Sequence, residues 1–139
     1  MTAVQHRLPL PPTAASAGAA RRFVESVLTA AHQEALAYTA TVLVSELVAN
    51  AVLHTATSLE VVVAVDEEGA RVEVHDGSPQ LPVRKRYSAM SGTGRGLMMV
   101  DRMATHWGAE PTATGKVVWF DLGPERTPAL DDLFEIEIL

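Results

Sequence analysis

The sequence predicts an α+β fold in which a β-sheet carries its helices on one face. Residues 19–68 contain neither Gly nor Pro, and apolar residues recur through much of this stretch at helical three- and four-residue steps. Two β-branched or alternating runs follow, with a turn sequence between them. A third helical pattern and a final apolar strand give the order helix, helix, strand, strand, helix, strand. This order indicates a two-layer α/β sandwich.

The N-terminal part is expected to hold an extended segment and two helices. Residues 6–12 contain three prolines, which disfavour helix in the residues before them. A first helix is predicted to reach about Ala31, with Thr13 or Ser16 as its N-cap. A break near residues 31–34 separates it from a second helix, which ends near His54.

The second half is expected to be richer in strands. Residues 58–65 and 70–76 predict a β-hairpin around a turn at residues 66–69. A loop over residues 77–91, a helix over about 97–107 and a strand over 116–122 follow. We therefore assign residues 1–122 to one domain. Residues 123–139 form an acidic tail that could be an edge strand, a short helix or disordered.

Composition limits the class of protein. A chain of 139 residues suffices for one domain with a core, and 47% hydrophobic with 20% charged residues is ordinary globular composition. The net charge of −6 disfavours direct nucleic-acid binding. We find no signal peptide and no membrane-length apolar run, so no membrane partner is expected. The absence of cysteine excludes disulfides and is compatible with a cytoplasmic protein.

The second predicted helix carries a polar stripe. Glu46, Asn50 and His54 follow one another at four-residue spacing, so they share one face of the helix. Apolar residues cover most of the remaining circumference, which predicts a largely buried helix. Leaving a buried carboxylate or amide unpaired costs roughly 2–7 kcal/mol. Either Glu46 and Asn50 hydrogen-bond each other or nearby backbone, or the stripe lines a polar cavity that a ligand occupies.

A glycine-rich segment precedes the third predicted helix. Gly92, Gly94 and Gly96 alternate with other residues, which would expose backbone N–H groups and the helix dipole to an anion such as phosphate. A plain turn is the alternative interpretation. The segment is not a P-loop, because no Gly-Lys-Ser/Thr follows, and not a Rossmann turn, because no strand immediately precedes it.

Asp76 stands at the exit of the predicted hairpin and is followed by Gly77. An Asp in this position usually begins an Asx-turn, in which its carboxylate accepts a hydrogen bond from backbone two residues on. The functional interpretation is a carboxylate that accepts hydrogen bonds from the amino group of a bound base. The basic run at residues 84–86 is most simply a solvated loop.

In this order, the three motifs resemble those of the GHKL (Bergerat-fold) ATPases. The segment "ELVANAVLH" is similar to the N-box of the bacterial anti-sigma-factor serine kinases. "VEVHDGSP" resembles their first glycine box, "GTGRGLMMV" their second and "GKVVWFDL" their last strand. The resemblance covers roughly residues 6–122. It implies the Bergerat fold, a mixed sheet backed by helices, with ATP held between the N-box helix and a lid.

The resemblance also implies residue roles. Asn50 would give Mg²⁺ an oxygen ligand, and Glu46 would accept a proton from, or orient, the attacking hydroxyl. Asp76, next to Gly77, would read the exocyclic amine of adenine, while His54 would touch the nucleotide or pack at the helix end. Residues 80–91 would form the lid, with residues 84–86 as its charged part. The phosphates would be wrapped by Gly92, Thr93, Gly94, Arg95, Gly96 and Leu97.

The function implied by this resemblance is that of an ATP-dependent serine/threonine protein kinase. Its partners would be a small anti-anti-sigma (STAS-type) protein, which it phosphorylates, and a sigma factor, which it sequesters; a homodimer is compatible with this function. A second hypothesis is a nucleotide- or partner-binding module without transfer activity. Two departures from the family pattern favour this second hypothesis. Ser78 stands where the family has glycine, and Lys116 and Val117 stand where a hydroxyl residue is often found in the last strand.

A third hypothesis is the catalytic part of a histidine kinase. That function needs a phosphoacceptor histidine on a dimerising helix hairpin. The surroundings of His32 do not fit that pattern, and too little chain precedes it. This hypothesis is therefore disfavoured.

Overall fold

A computed structural model describes residues 3–80 and 92–123, and for residues 92–96 it describes the backbone alone. Within this part of the chain, three helices lie against a five-stranded sheet, so the predicted α+β sandwich is confirmed. The elements are β1 (Val4–Leu10), α1 (Ala15–Ala30), α2 (Glu34–His54), β2 (Leu59–Asp66), β3 (Gly69–Asp76), α3 (Gly92–Met103), β4 (His106–Thr112) and β5 (Gly115–Leu122).

The sheet has the strand order β1-β2-β3-β5-β4. Each of the four pairings among the described strands is antiparallel, so the mixed sheet implied by the resemblance is not observed in this part of the chain. In the hairpin, Asp66 pairs with Gly69 and Leu59 with Asp76. Asp76 is therefore the last residue of a central strand, and its neighbour across the next ladder is Lys116 of β5.

The core lies between the sheet and the helices. Alternate residues of the central strands point towards the helices, as the two-residue period of a strand requires. Fully burying a valine or leucine side chain contributes roughly 1.5–3 kcal/mol, so this inner face accounts for much of the driving force for folding. The inner residues of β2, β3 and β5 in the core are Leu59, Val61, Val63, Val65, Ala70, Val72, Val74, Val118, Phe120 and Leu122.

Helix α2 is long and apolar enough to cross a membrane by length and composition alone, with a mean hydropathy of 1.6 in its apolar window. The expectation that no apolar run reaches membrane length was therefore wrong for this helix. Its packing accounts for this composition, because α2 contacts α1, α3, β3 and β5. The predicted bounds of this helix are confirmed. Its buried residues are Ala40, Thr41, Leu43, Val44, Leu47, Val48 and Ala51.

The start of α1 differs from the prediction, whereas its end agrees with it. Ala14 is the N-cap and makes no side-chain capping bond, so the assignment of Thr13 or Ser16 as N-cap was wrong. Ser16 instead donates its hydroxyl to the carbonyl of Pro11 at 2.6 Å, tying the helix to the chain before it. At the other end, His32 has a φ of 59° and the N–H of Gln33 donates to the Leu28 carbonyl at 2.8 Å. This left-handed C-terminal turn produces the predicted break.

Both edge strands were missed by the sequence analysis. Residues 6–12 were predicted only as extended, and residues 104–107 were assigned to a helix that ends at Met103. Pro9 in β1 and Pro111 in β4 weaken a strand signal, but an edge strand tolerates proline because one side of its backbone is unpaired. The pairing partners β2 and β5, rather than local propensity, make these segments strands.

Candidate functional site

The polar stripe lies on the more open face of α2. Glu46 and Asn50 are half-buried and His54 is exposed, so the helix is less enclosed than its sequence predicts. Glu46 makes no side-chain hydrogen bond to another residue within 3–80 or 92–123. The interpretation in which Glu46 and Asn50 hydrogen-bond each other is therefore wrong. A half-buried carboxylate without such a bond is accessible to a ligand.

Two threonines connect the end of α2 to the loop after β3. Thr55 directly follows His54, and its Oγ1 lies 3.3 Å from Oγ1 of Thr57. The Thr57 hydroxyl in turn accepts the N–H of Gly77 at 2.8 Å. The segment that carries Asp76 is therefore anchored beside the C-terminal end of the stripe helix. The polar stripe of α2 and the Asp76–Gly77 turn are therefore connected in the structure.

Asp76 forms the Asx-turn that its position predicted. Its Oδ1 accepts the backbone N–H of Ser78 at 2.8 Å. The same carboxylate is also paired with Lys116, whose Nζ lies 3.1 Å from Oδ1 and 3.1 Å from Oδ2. The Asp76 and Lys116 side chains are only 3% and 10% exposed. The carboxylate expected to read an adenine amine is thus held by a buried ammonium group.

A close backbone approach supports this end of the sheet. A Cβ atom at Gly115 would lie 2.0 Å from the carbonyl oxygen of Asp76 and 2.6 Å from Cα of Gly77. Only glycine leaves room for the β4–β5 turn to lie against these residues. Gly77 is less restricted, since an added Cβ there would lie 3.1 Å from Cβ of Thr57.

The glycine-rich segment is helical in the structure. Gly92, Thr93, Gly94, Arg95, Gly96 and Leu97 belong to α3, which corrects the expectation of a loop that gives way to helix at Leu97. Buried Leu97 and Val100 fix α3 in the core, and this packing outweighs the low helix propensity of glycine. The first four N–H groups of a helix have no intrahelical acceptor, so its N-terminus still offers donors to phosphate. Helix α3 contacts α2.

Part of the expected site lies outside the described residues. Residues 81–91 of the predicted lid, including the basic run at 84–86, lie outside the described residues, as does most of the acidic tail. Asn50 and His54 both have interactions within the structure, so neither is an isolated polar group.

The expected Mg²⁺ site can be compared with the side chains of the described residues. No group of three His, Asp or Glu side chains that could hold a metal ion occurs in the described part of the chain. Mg²⁺, however, usually takes only one or two protein oxygens and completes its octahedron with phosphates and waters. A single half-buried amide oxygen at Asn50 fits that donor set.

Lys116 and Thr57 are the residues that sequence reasoning missed. Lys116 had been noted only as a departure from the expected last strand, and Thr57 not at all. The pairing of β3 with β5 identifies Lys116 as a site residue. Asp76 is the last residue of β3, and Lys116, the second residue of β5, lies directly opposite it. This identification needs the β3–β5 register, which pairs strands separated by α3 and β4 and cannot be read from local pattern.

No curated protein matches this sequence. The family model described as a histidine kinase-like ATPase domain matches residues 10–122, which include every described helix and strands β2 to β5. Both the N-box helix α2 and the Asp76–Gly77 turn fall within the match. The chain therefore belongs to the family of histidine kinase-like ATPase domains, of the ATP-binding GHKL type.

Proposed function

We propose that this protein is an ATP-dependent serine/threonine protein kinase that phosphorylates a small STAS-type partner and sequesters a sigma factor. The observation that carries the proposal is the anchoring of the Asp76–Gly77 turn to the end of α2 through Thr57. This contact supports the proposal because it ties the turn that carries Asp76, the proposed base-reading residue, to the end of the helix that carries Glu46 and Asn50. Membership of this family of ATP-binding domains supports ATP as the bound nucleotide.

In this proposal, the described residues divide the nucleotide between them. The base lies against the end of β3 at Asp76, and the phosphates lie between the stripe of α2 and the N-terminus of α3. Asn50 holds Mg²⁺, which would neutralise phosphate charge. The N–H groups at the start of α3 donate to phosphate oxygens.

Glu46 is the proposed general base. A partner Ser or Thr hydroxyl attacks the γ-phosphorus, an oxygen–phosphorus bond forms, and the bond to the bridging oxygen breaks to release ADP. The hydroxyl proton passes to the Glu46 carboxylate. The half-buried position of Glu46, with no side-chain hydrogen bond to another described residue, supports this role because the carboxylate is available to a substrate.

The experiment uses γ-labelled ATP and a STAS-type partner recovered by pull-down with the full chain. We expect label on the partner as acid-stable phosphoserine or phosphothreonine. Glu46→Gln keeps the shape of the side chain but cannot accept the proton, so transfer should fall by roughly 10²–10⁴-fold while ATP binding persists. Glu34→Gln, which alters the other carboxylate of α2, is the matched control and should leave transfer unchanged.

Two results would contradict the proposal. Full transfer by Glu46→Gln would make Glu46 structural, and an acid-labile phosphohistidine would indicate a histidine kinase.

One observation favours the second candidate, a nucleotide- or partner-binding module without transfer activity. The Asp76 carboxylate already has Lys116 and the Ser78 N–H as partners, which leaves less hydrogen-bonding capacity for a nucleotide base. The same assay separates the two functions. ATP binding without label on any recovered partner would support the binding module.

A further inference from the structure

The ion pair between Asp76 and Lys116 has a geometry that bears on ligand selection. The Lys116 Nζ lies at equal distances of 3.1 Å from the two carboxylate oxygens, so both oxygens have the ammonium as a partner. A hydrogen-bond donor of a ligand that approached either oxygen would compete with this ammonium. The N–H of Ser78 already occupies a further acceptor site on Oδ1.

Both side chains of this ion pair are buried, although to different extents. The Lys116 side chain is 10% exposed and the Asp76 side chain 3%, so solvent reaches the lysine side chain more than the carboxylate. An ammonium carries three N–H donors and no acceptor. At this end of the sheet, the acceptor that the sequence places there is therefore already paired with a donor.

We propose that Lys116 determines the nucleobase selectivity of this domain. The substituent at position 6 of a bound purine meets the Lys116 ammonium rather than the Asp76 carboxylate. A 6-oxo group accepts a hydrogen bond from this ammonium, whereas a 6-amino group brings one donor against another. A 6-oxo purine nucleotide therefore binds at least as tightly as ATP. This inference rests on the proposed position of the base beside Asp76.

The test compares Mg-ATP with Mg-ITP by calorimetry on the full chain. The two nucleotides have the same phosphates and ribose and differ in the purine, where ITP carries a 6-oxo group in place of the amine. For the wild-type protein we expect ITP to bind as tightly as ATP or more tightly. A preference for ATP of about tenfold or more would overturn the inference, since it would mean that the amine reaches Asp76 despite Lys116.

A substitution of Lys116 should reverse this selectivity. Lys116→Met removes the donor and leaves the Asp76 carboxylate free to accept from the 6-amino group, while a 6-oxo group would face that carboxylate unfavourably. The ratio of ATP to ITP affinity should rise by about ten- to a hundredfold, the range of a hydrogen bond to a charged group. Lys116→Thr is the second variant if Lys116→Met does not fold.

Arg71→Met provides the matched control. It also removes the cationic partner of an ion pair between β3 and β5, but on the opposite face of the sheet. Its ATP-to-ITP ratio should equal that of the wild type. An equal ratio in wild type and both Lys116 variants would overturn the inference while leaving the proposed function intact. Failure of both nucleotides to bind wild type and variants would overturn the proposed nucleotide site, and this inference with it.

Discussion

Two ion pairs join β3 to β5, one on each face of the sheet. On the inner face, Asp76 and Lys116 lie directly opposite each other with side chains 3% and 10% exposed. On the outer face, Arg71 and Asp121 are also opposite, with Arg71 43% and Asp121 25% exposed. The outer pair has the better geometry, because Arg71 Nε and Nη2 donate to the two carboxylate oxygens at 2.7 and 2.9 Å.

The outer pair behaves as an ordinary surface contact. The hydrogen bond to Asp121 raises the pKa of Arg71, and the guanidinium also lies 4.1 Å from the centroid of the Trp119 ring. Solvent screens such exposed pairs, so they contribute little to the free energy of unfolding. The inner pair is different, because removing two charges from water costs several kcal/mol per ion before their attraction offsets it. Costly buried polar groups are typical of functional sites.

The largest expected effect is the loss of one inner partner. Lys116→Met leaves the Asp76 carboxylate buried without its cation and should lower the free energy of unfolding by about 3–5 kcal/mol. Arg71→Met should cost about 1 kcal/mol, from the exposed pair and the contact with Trp119. Urea unfolding of both variants measures the difference. Similar losses for the two variants would contradict the contrast between the faces.

Two glycines of the sheet allow a second comparison. Gly115→Ala would put Cβ 2.0 Å from the carbonyl oxygen of Asp76, whereas Gly108→Ala would put it 2.7 Å from Cζ2 of Trp119. In Gly115→Ala the backbone at Asp76 and Gly77 must move, whereas in Gly108→Ala only the partly buried ring of Trp119 must move. We expect a loss of about 3 kcal/mol for Gly115→Ala and about 1 kcal/mol for Gly108→Ala. Only Gly115→Ala should also weaken nucleotide binding, which calorimetry on the folded variants would detect.

The smallest expected effect concerns single hydrogen bonds. Thr57→Val removes the acceptor for the Gly77 N–H and should cost about 1 kcal/mol in unfolding free energy. On the outer face, Glu73→Gln alters the 2.8 Å contact between Glu73 and His75. This substitution should change the free energy of unfolding by less than about 0.5 kcal/mol. Thermal unfolding compares the two. A larger loss for Glu73→Gln would mean that Thr57 does not anchor the turn.

The sequence predicted the parts of this molecule that depend on local pattern. The bounds of α2 follow from its unbroken helical spacing, and those of the hairpin from its alternation and turn. The edge strands β1 and β4 could not be read locally, because each contains proline and exists only through its paired neighbour. The start of α3 was placed five residues too late, at Leu97 instead of Gly92, since core packing overrides glycine propensity there.

The candidate site divides in the same way. The stripe of Glu46, Asn50 and His54 and the Asx-turn at Asp76 follow from spacing and residue type. The partnership of Asp76 with Lys116 depends on the register between β3 and β5, and 38 residues lie between the end of β3 and the start of β5. Long-range register of this kind is fixed by the whole sheet rather than by either segment.

The most direct test of the nucleotide site is calorimetry of ATP binding with and without Mg²⁺, for the wild type and for Asn50→Ala. If the stripe of α2 faces the phosphates, wild-type affinity should rise when Mg²⁺ is added, and Asn50→Ala should bind ATP with little dependence on Mg²⁺. Heat of binding that is absent from the wild type, or a Mg²⁺ dependence that Asn50→Ala retains in full, would contradict the account.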